Sequence, residues 1–478
     1  MASFPLSTAV TSYPFSSKKI TCGFSKSISS SAQRILILFI KLSISSVLYF
    51  AYCNFGQVRN NKIIIRKVNI QNINKRKIFN DPIYGFVSIP YDIVFDLIEH
   101  PFFQRLRRIK QLGMTHLVYP GALHTRFHHA LGAMHLMTKA IEVLRSKGHI
   151  ITHNEAKGVI IAILLHDIGH GPFSHALEHS LVHGISHEKI SDAFMDKLNK
   201  LFNNELGLAI KIFRNKYPKH FLHQMVSSQL DMDRLDYLRR DSFYTGVSEG
   251  VISTDRIITM LNVKNDELVV EEKGIYSIEK FIIARRLMYW QVYLHKTVLS
   301  AENLIINILK RAKQLAQNKQ ELFCTPALKH FLYNHIDKEK FFTQSIHLET
   351  FSLLDDYDIF TSIKVWVNHE DKILSTLCNN LINRKLYKIE LSNKPFSKSD
   401  VNKHKQKVCK KLKLKNDEIN YFVFNSEIIN NAYNPTHDSI KLLNKNGCVT
   451  DIATAADQLN ISVLSKPVKK YFLCYPKQ

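Results

Sequence analysis

The run His166-Asp167-Ile168-Gly169-His170-Gly171-Pro172-Phe173-Ser174-His175 follows directly on an unbroken apolar stretch, Val159 to Leu165. A short segment that is apolar all round predicts a helix buried at the centre of a domain. Gly169, Gly171 and Pro172 stop that helix straight after the His-Asp pair, and Pro172 suits the first position of the next one. His166 and Asp167 are therefore expected on a last helical turn, beside tight backbone and facing a cavity. Imidazole and carboxylate are the side chains that a borderline divalent metal accepts. Thirteen of the chain's 23 histidines fall between His116 and His187, and such crowding next to one aspartate points to a metal-dependent hydrolytic site.

The periodicity around this run is helical. Apolar residues recur at three and four along Ile93, Leu97 and Ile98, and along Leu131, Met134, Leu136, Met137, Ala140 and Ile141. The expected fold class is mainly α, with a helical core over residues 77–318 and a smaller C-terminal mixed α/β domain over residues 319–478. In the latter, runs of β-branched and aromatic residues such as Ile363 to Val367 and Tyr421 to Phe424 are expected as strands. Lys403, Lys405, Lys407, Lys410, Lys411, Lys413 and Lys415 form a basic run, either a solvated helix face or loop, or a nucleic-acid contact. There is no internal repeat and no glycine-rich phosphate loop.

The composition, 45% apolar and 22% charged over 478 residues, is that of a globular chain. A formal charge of +24 favours polyanionic partners such as nucleotides, nucleic acid or an anionic membrane surface, although lysine is abundant everywhere and would raise the charge without any ligand. Seven cysteines, with none between Cys53 and Cys324, make neither a disulfide framework nor a Cys-x-x-Cys pair. A reducing, cytoplasmic compartment is expected, and any metal must use His and Asp. Before Asp81, the first acidic residue, the chain is rich in Ser with scattered Lys and Arg, and Ile35 to Phe55 is strongly apolar apart from Lys41 and several Ser. Residues 1–76 read as an organellar targeting segment, a weak membrane anchor, or an extension that packs against nothing.

Four groups recur in a telling order: His129 within Arg126-Phe127-His128-His129, then His166-Asp167, then Asp233 within Asp231-Met232-Asp233-Arg234-Leu235-Asp236-Tyr237. In this the sequence resembles the HD-domain phosphohydrolases, whose order is His, then His-Asp, then a distant Asp. It is most similar to the branch of the SAM and HD domain deoxynucleoside triphosphate triphosphohydrolase and its bacterial relatives. Phe103-Gln104-Arg105-Leu106-Arg107-Arg108-Ile109-Lys110-Gln111-Leu112-Gly113, the His166 to His175 run, Ser186-His187-Glu188 and Tyr293-Leu294-His295-Lys296 carry that likeness over residues 77–300. No SAM-domain pattern stands upstream.

The resemblance implies a divalent metal (Mn, Fe, Mg or Zn) held by His129, His166, Asp167 and Asp233. An octahedral ion so bound keeps two positions for water and a phosphate oxygen. The resemblance makes His175 and His187 an acid/base pair, with Glu188 orienting its neighbour, and gives His170 a contact to phosphate. His179 and His183, with His116, His124, His128, His135, His149 and His153, read as ordinary surface or partly buried histidines. Arg126, Arg234, Arg285 and Lys296 would grip a triphosphate. Gln111 and Leu112 would face the sugar, while Tyr237, Asp241, Tyr289 and Tyr293 would close over it and exclude a 2′ hydroxyl. Lys77, Ile78, Glu99, Gln104 and Arg107 match the family's pocket for a GTP-like activator, which joins subunits into a tetramer. Glu99 departs from the pattern, in which the guanine-reading carboxylate is one methylene shorter.

The expected activity is hydrolysis of deoxynucleoside triphosphates, dGTP included, to deoxynucleoside and triphosphate. Two other readings stand beside it: an HD phosphohydrolase acting on another phosphoester or a signalling nucleotide, and a nucleic-acid-binding protein with a vestigial HD site.

Overall fold

The computed structural model describes residues 77–173, 184–415, 417–430, 433–434, 439–455 and 467–477. The expectations for residues 1–76, and for His175, His179 and His183, lie outside the described residues. Among those described, no helix is long and apolar enough to cross a membrane.

Asn74–Gln478 makes one compact unit that is mainly helical. It opens with an antiparallel hairpin, β1 (Ile78–Asp81) and β2 (Gly85–Ser88), followed by α1 (Asp92–Glu99). The long helix α2 (Arg126–Ser146) packs against α3 (His153–Leu165) and, on another side, against α5 (Met232–Thr245); α4 (His187–Leu201) lies between α3 and α5 in sequence. Every residue of α3 from Glu155 to Leu165 except Lys157 is buried, as its all-round apolar character requires, and His166 is its C-cap. An antiparallel pair, β3 (Leu261–Lys264) with β4 (Glu267–Glu271), then leads to α6 (Ile275–Met288) and α7 (Lys296–Gln317).

Beyond residue 318 helices come first and strands later: α8 (Asp356–Trp366), β5 (Lys388–Ser392), α9 (Lys398–Leu412), β6 (Phe424–Asn430), β7 (Lys441–Leu443), β8 (Val449–Asp451) and β9 (Val468–Tyr475) are the elements needed here. One sheet runs β5-β9-β6, all antiparallel. The other runs β3-β4-β7-β8, and its parallel pairing of Val270 with Leu442 ties the C-terminal strands to the helical part.

Two expectations need correction here. Ile363 to Val367 is not a strand, because Asp355 caps a helix start by accepting from the Tyr357 amide at 2.9 Å while the Asp358 carboxylate accepts from the Asp355 amide at 2.7 Å. The buried residues Ile359, Ile363 and Trp366 then fall at helical spacing, which overrides β-branched propensity. Of Tyr421 to Phe424, only Phe424 is in a strand, as a 3₁₀ turn ends at Tyr421. Most of the lysine run lies on α9, whose buried residues are Val401 and Val408, so its lysines ride an amphipathic helix.

The start of α3 fixes where His166 ends up. Thr152 accepts from the Glu155 amide and Glu155 accepts from the Thr152 amide at 2.8 Å, a reciprocal cap. Glu155 also takes bonds from the Tyr217 hydroxyl at 2.7 Å and Lys219 at 2.9 Å. Burial opposes ionisation, but these donors win and hold its carboxyl down at about 2, below its ordinary 4.5. A carboxyl depressed on folding stabilises the protein above its unfolded pKa and stops doing so as pH falls through the folded one. Glu155→Gln should therefore cost roughly 2–3 kcal/mol at neutral pH. The difference in thermal midpoint between the two proteins should shrink as pH drops from 4.5 toward 2.

Candidate metal and nucleotide site

Three chain segments bring four side chains together. His129 lies in the second turn of α2, His166 and Asp167 follow α3, and Asp233 lies in the first turn of α5, where Asp231 caps the helix by accepting from the Arg234 amide at 2.7 Å. His129, His166 and Asp233 present one ligand atom each within a single metal-sized group. His129 Nε2 is 3.2 Å from Asp233 Oδ1 and 3.8 Å from Asp167 Oδ2; His166 Nε2 is 3.4 Å from Asp167 Oδ1 and 3.6 Å from Asp233 Oδ1. Asp167 shares that edge and also groups with His170 and His187.

The backs of both imidazoles are pinned. His129 Nδ1 meets the Asp236 carboxylate at 2.7 Å, and His166 Nδ1 meets the Ile163 carbonyl at 2.7 Å. Both partners are acceptors, so each ring keeps a proton on Nδ1 and points Nε2 inward, where its lone pair is the one a cation would take. Those two Nε2 atoms are buried without a hydrogen-bond partner. Burial works against charge on either ring, yet Asp233 and Asp236 lift His129 to about 10, and Asp167 with Asp233 raises His166. Burial likewise opposes ionisation of Asp167 and Asp233, but their histidine neighbours hold both well below the usual carboxylate range. Two inward lone pairs beside two ionised carboxylates are a donor set that fits a divalent cation.

Beside this group, His170 Nε2 is 3.3 Å from Asp167 Oδ1, and the His170 ring stacks on that of His187 with centroids 3.8 Å apart. Burial and the charge of Arg126 hold His170 down at about 3, a neutral ring. Arg126 donates to Asp167 Oδ2 at 2.6 Å. Glu188 is exposed in the first turn of α4.

A second cluster adjoins it. Asp241, on α5, accepts from the Tyr293 hydroxyl at 2.7 Å and faces His124 Nε2 at 2.8 Å. Tyr293 reaches it because α6 runs on into one π-helical turn, Tyr289–Tyr293. Its ring meets those of Tyr289 and Tyr237 edge-on at 5.2 and 6.2 Å. The Gln111 amide donates to the His124 carbonyl at 3.0 Å, while its side-chain oxygen is buried without a partner. Leu112 packs half-buried against the core. Arg234 pairs with Asp231, and the guanidinium groups of Arg234 and Arg285 both act on the buried Tyr237 hydroxyl.

An HD-domain model matches residues 126–241 and a model of the HD-associated region matches residues 252–324. An uncharacterised Bacillus subtilis protein, YwfO, is 36% identical over 326 residues, covering 66% of this chain and 72% of its own length. A solved phosphohydrolase from Bacteroides thetaiotaomicron is 55% identical, with a TM-score of 0.82 over 84% of this chain and all of that one. The chain belongs to the HD-domain phosphohydrolases, in the branch related to SAMHD1. The Dictyostelium discoideum SAMHD1 homolog, whose name is deoxynucleoside triphosphate triphosphohydrolase, is 34% identical over 52% of this chain and 51% of its own.

In this HD phosphohydrolase the remaining sequence candidates sit apart from the metal group. Lys296 is exposed at the first turn of α7. Gln104 donates to the Ile98 carbonyl and accepts from Arg107 Nε, both at 2.8 Å, and the Glu99 carboxylate acts on the Arg107 charge. Lys77 lies over the Phe95 ring, and Ile78 is exposed.

Several site residues escaped the sequence reading. His124, taken there as ordinary, is fully buried against Asp241. Arg105, also fully buried, donates to the carbonyls of Ile168 at 2.6 Å and His170 at 2.9 Å, and so holds the loop that follows the His-Asp pair. Asp356 at the start of α8 accepts from the amides of Lys110 and Phe173, fastening both cluster walls to the C-terminal segment. A long-range salt-bridge partner leaves no local signal; for Asp236 the spacing of three from Asp233 on one helix was the available one.

Gly169 sets the position of His187. Its amide donates to Ser191 Oγ at 2.9 Å, and a Cβ there would lie 2.3 Å from both the His187 carbonyl oxygen and the Ser191 nitrogen. Gly169→Ala should push the start of α4 away and lower kcat by about 10²-fold. Metal content measured on the same sample should stay at the wild-type level; loss of metal would mean that α4 also shapes the cation group.

Proposed function

We propose that this protein hydrolyses deoxynucleoside triphosphates, dGTP among them, to deoxynucleoside and inorganic triphosphate. The observation that carries this reading is a set of buried polar atoms with no hydrogen-bond partner: His129 Nε2, His166 Nε2, His170 Nδ1, Arg234 Nε, Arg285 Nε and Gln111 Oε1. Burying such atoms is costly unless a ligand completes them. A triphosphate linked to a sugar offers acceptors to the guanidinium groups and a hydroxyl to Gln111. The curated relatives named as deoxynucleoside triphosphate triphosphohydrolases support the same substrate class.

In this reading His129, His166, Asp167 and Asp233 would hold a divalent metal, which would supply an acidified water and screen phosphate charge. Arg126 and Arg234 orient the phosphates, with Arg285 and Lys296 at the outer end. His170, its Nε2 facing Asp167, lies in contact with the bound phosphate. Hydrolysis joins a water oxygen to the α-phosphorus as the bond to O5′ breaks; O5′ leaves with the electron pair and takes a proton from the pair His187 and His175, with Glu188 beside it, and the proton that the water gives up restores that pair. Asp241 accepts the 3′ hydroxyl, and the ring of Tyr293, fixed by that same carboxylate, fills the space a 2′ hydroxyl would need; Tyr237, Tyr289 and Leu112 complete the sugar wall. Lys77, Ile78, Glu99, Gln104 and Arg107 would bind a purine nucleoside triphosphate activator, and subunits would assemble around it.

Purified protein given Mn and the four deoxynucleoside triphosphates, with and without GTP, should release deoxynucleosides. The His166→Ala/Asp167→Ala variant should be slower by more than about 10²-fold. Tyr293→Ala should narrow the preference for deoxyribose over ribose. Equal turnover by the double variant would contradict the site, and release of monophosphate would contradict the reaction.

A further inference from the structure

Behind His129 a file of buried charge leads away from the metal group. The Asp236 carboxylate that receives His129 Nδ1 also accepts from Arg240 Nε at 2.9 Å and Nη2 at 3.0 Å. The remaining nitrogen, Arg240 Nη1, donates to Asp81 Oδ2 at 2.8 Å. Asp81 ends strand β1, and its other oxygen, Oδ1, accepts from the amides of Ile83 at 2.8 Å and Tyr84 at 3.1 Å, which shapes the turn into β2. His129, Asp236 and Arg240 have no exposed surface, and Asp81 is 7% exposed. Space for the file is left by Gly132 on α2, where a Cβ would lie 2.0 Å from Asp236 Oδ1 and 2.2 Å from Arg240 Nη2.

The charges decide what this file does. Two carboxylates share one guanidinium, leaving Asp236 anionic enough to draw the Nδ1 proton of His129 and strengthen the Nε2 lone pair as a donor. If Asp81 lost its charge, Arg240 would neutralise Asp236 alone. The imidazole would then be a poorer metal ligand, although no atom near the metal had changed.

Resting on the reading of His129 as a metal ligand, we propose that Asp81 is a positioning residue of the metal centre, acting on His129 through Arg240 and Asp236. The β1-β2 hairpin is thereby joined electrically to the metal, through the charge of Asp81 and not through the rigidity of the turn.

The test is calorimetric titration of Mn into metal-stripped full-length protein. Asparagine keeps one carbonyl oxygen for the turn amides and withdraws the charge from Arg240, so Asp81→Asn should bind Mn about three- to tenfold more weakly. Asp236→Asn should lose about 10–100-fold. The double variant should be no weaker than Asp236→Asn, because Asp81 acts through Asp236; losses that multiply would overturn the relay. Gly85 ends the same turn at φ +73 with nothing within 4 Å of a Cβ, so Gly85→Ala strains the hairpin without touching Arg240. It should bind Mn like the wild type, and a loss equal to that of Asp81→Asn would assign the effect to hairpin stability and overturn the proposal. Unchanged Mn affinity in Asp81→Asn would do the same. His166→Ala is the separate check on the metal reading: if it binds Mn normally, that reading fails, and this inference with it.

Discussion

The structure turns on one electrostatic demand. Two inward imidazole nitrogens and two carboxylates, only Asp233 of the four being part-exposed, are crowded together, and removing such groups from water is unfavourable until a cation joins them. Without one, a proton is the nearest substitute, which is why the carboxylates draw His129 up to about 10. A fold that carries this cost must hold the four groups firmly, and much of the surrounding architecture can be traced to that need.

The holding is done by helix ends. Arg126, Asp233 and His187 all lie in first turns, of α2, α5 and α4, and His166 closes α3. Three helix N-termini add partial positive charge to the guanidinium groups of Arg126 and Arg234. The centre is thus cation-seeking at the carboxylates and anion-seeking around them, the polarity that a metal-bound phosphate ester presents. Fastening comes from buried ionic partners: Arg105 on the loop carbonyls, Asp356 on the amides of Lys110 and Phe173, and the Asp236-Arg240-Asp81 file behind His129. Each joins segments remote in sequence, so the C-terminal helix α8 and the first hairpin both bear on the centre.

That arrangement explains which parts were legible in the sequence. The helix from His153 to Leu165 was readable because local signals agree: the Thr152 and Glu155 cap, the apolar run, and the glycines beyond His166. The grouping of His129, His166 and Asp233 was readable because residue types and order stand out. The supporting salt bridges were not, since Asp81 and Arg240 are ordinary charges until the fold brings them to 2.8 Å. Ile363 to Val367 misled because five β-branched, apolar or basic residues in a row carry a strand signal, while the decisive cap at Asp355 lies eight positions earlier. His124 misled for the opposite reason: in a chain with so many histidines, nothing local distinguishes the one that faces Asp241.

The most direct test of the account is to run the reaction with dGTP in ¹⁸O-water and locate the label by ³¹P NMR. Attack at the α-phosphorus with O5′ as leaving group places one ¹⁸O on a terminal phosphorus of intact triphosphate and none in deoxyguanosine. Label in the nucleoside, or in orthophosphate or pyrophosphate released directly, would contradict it.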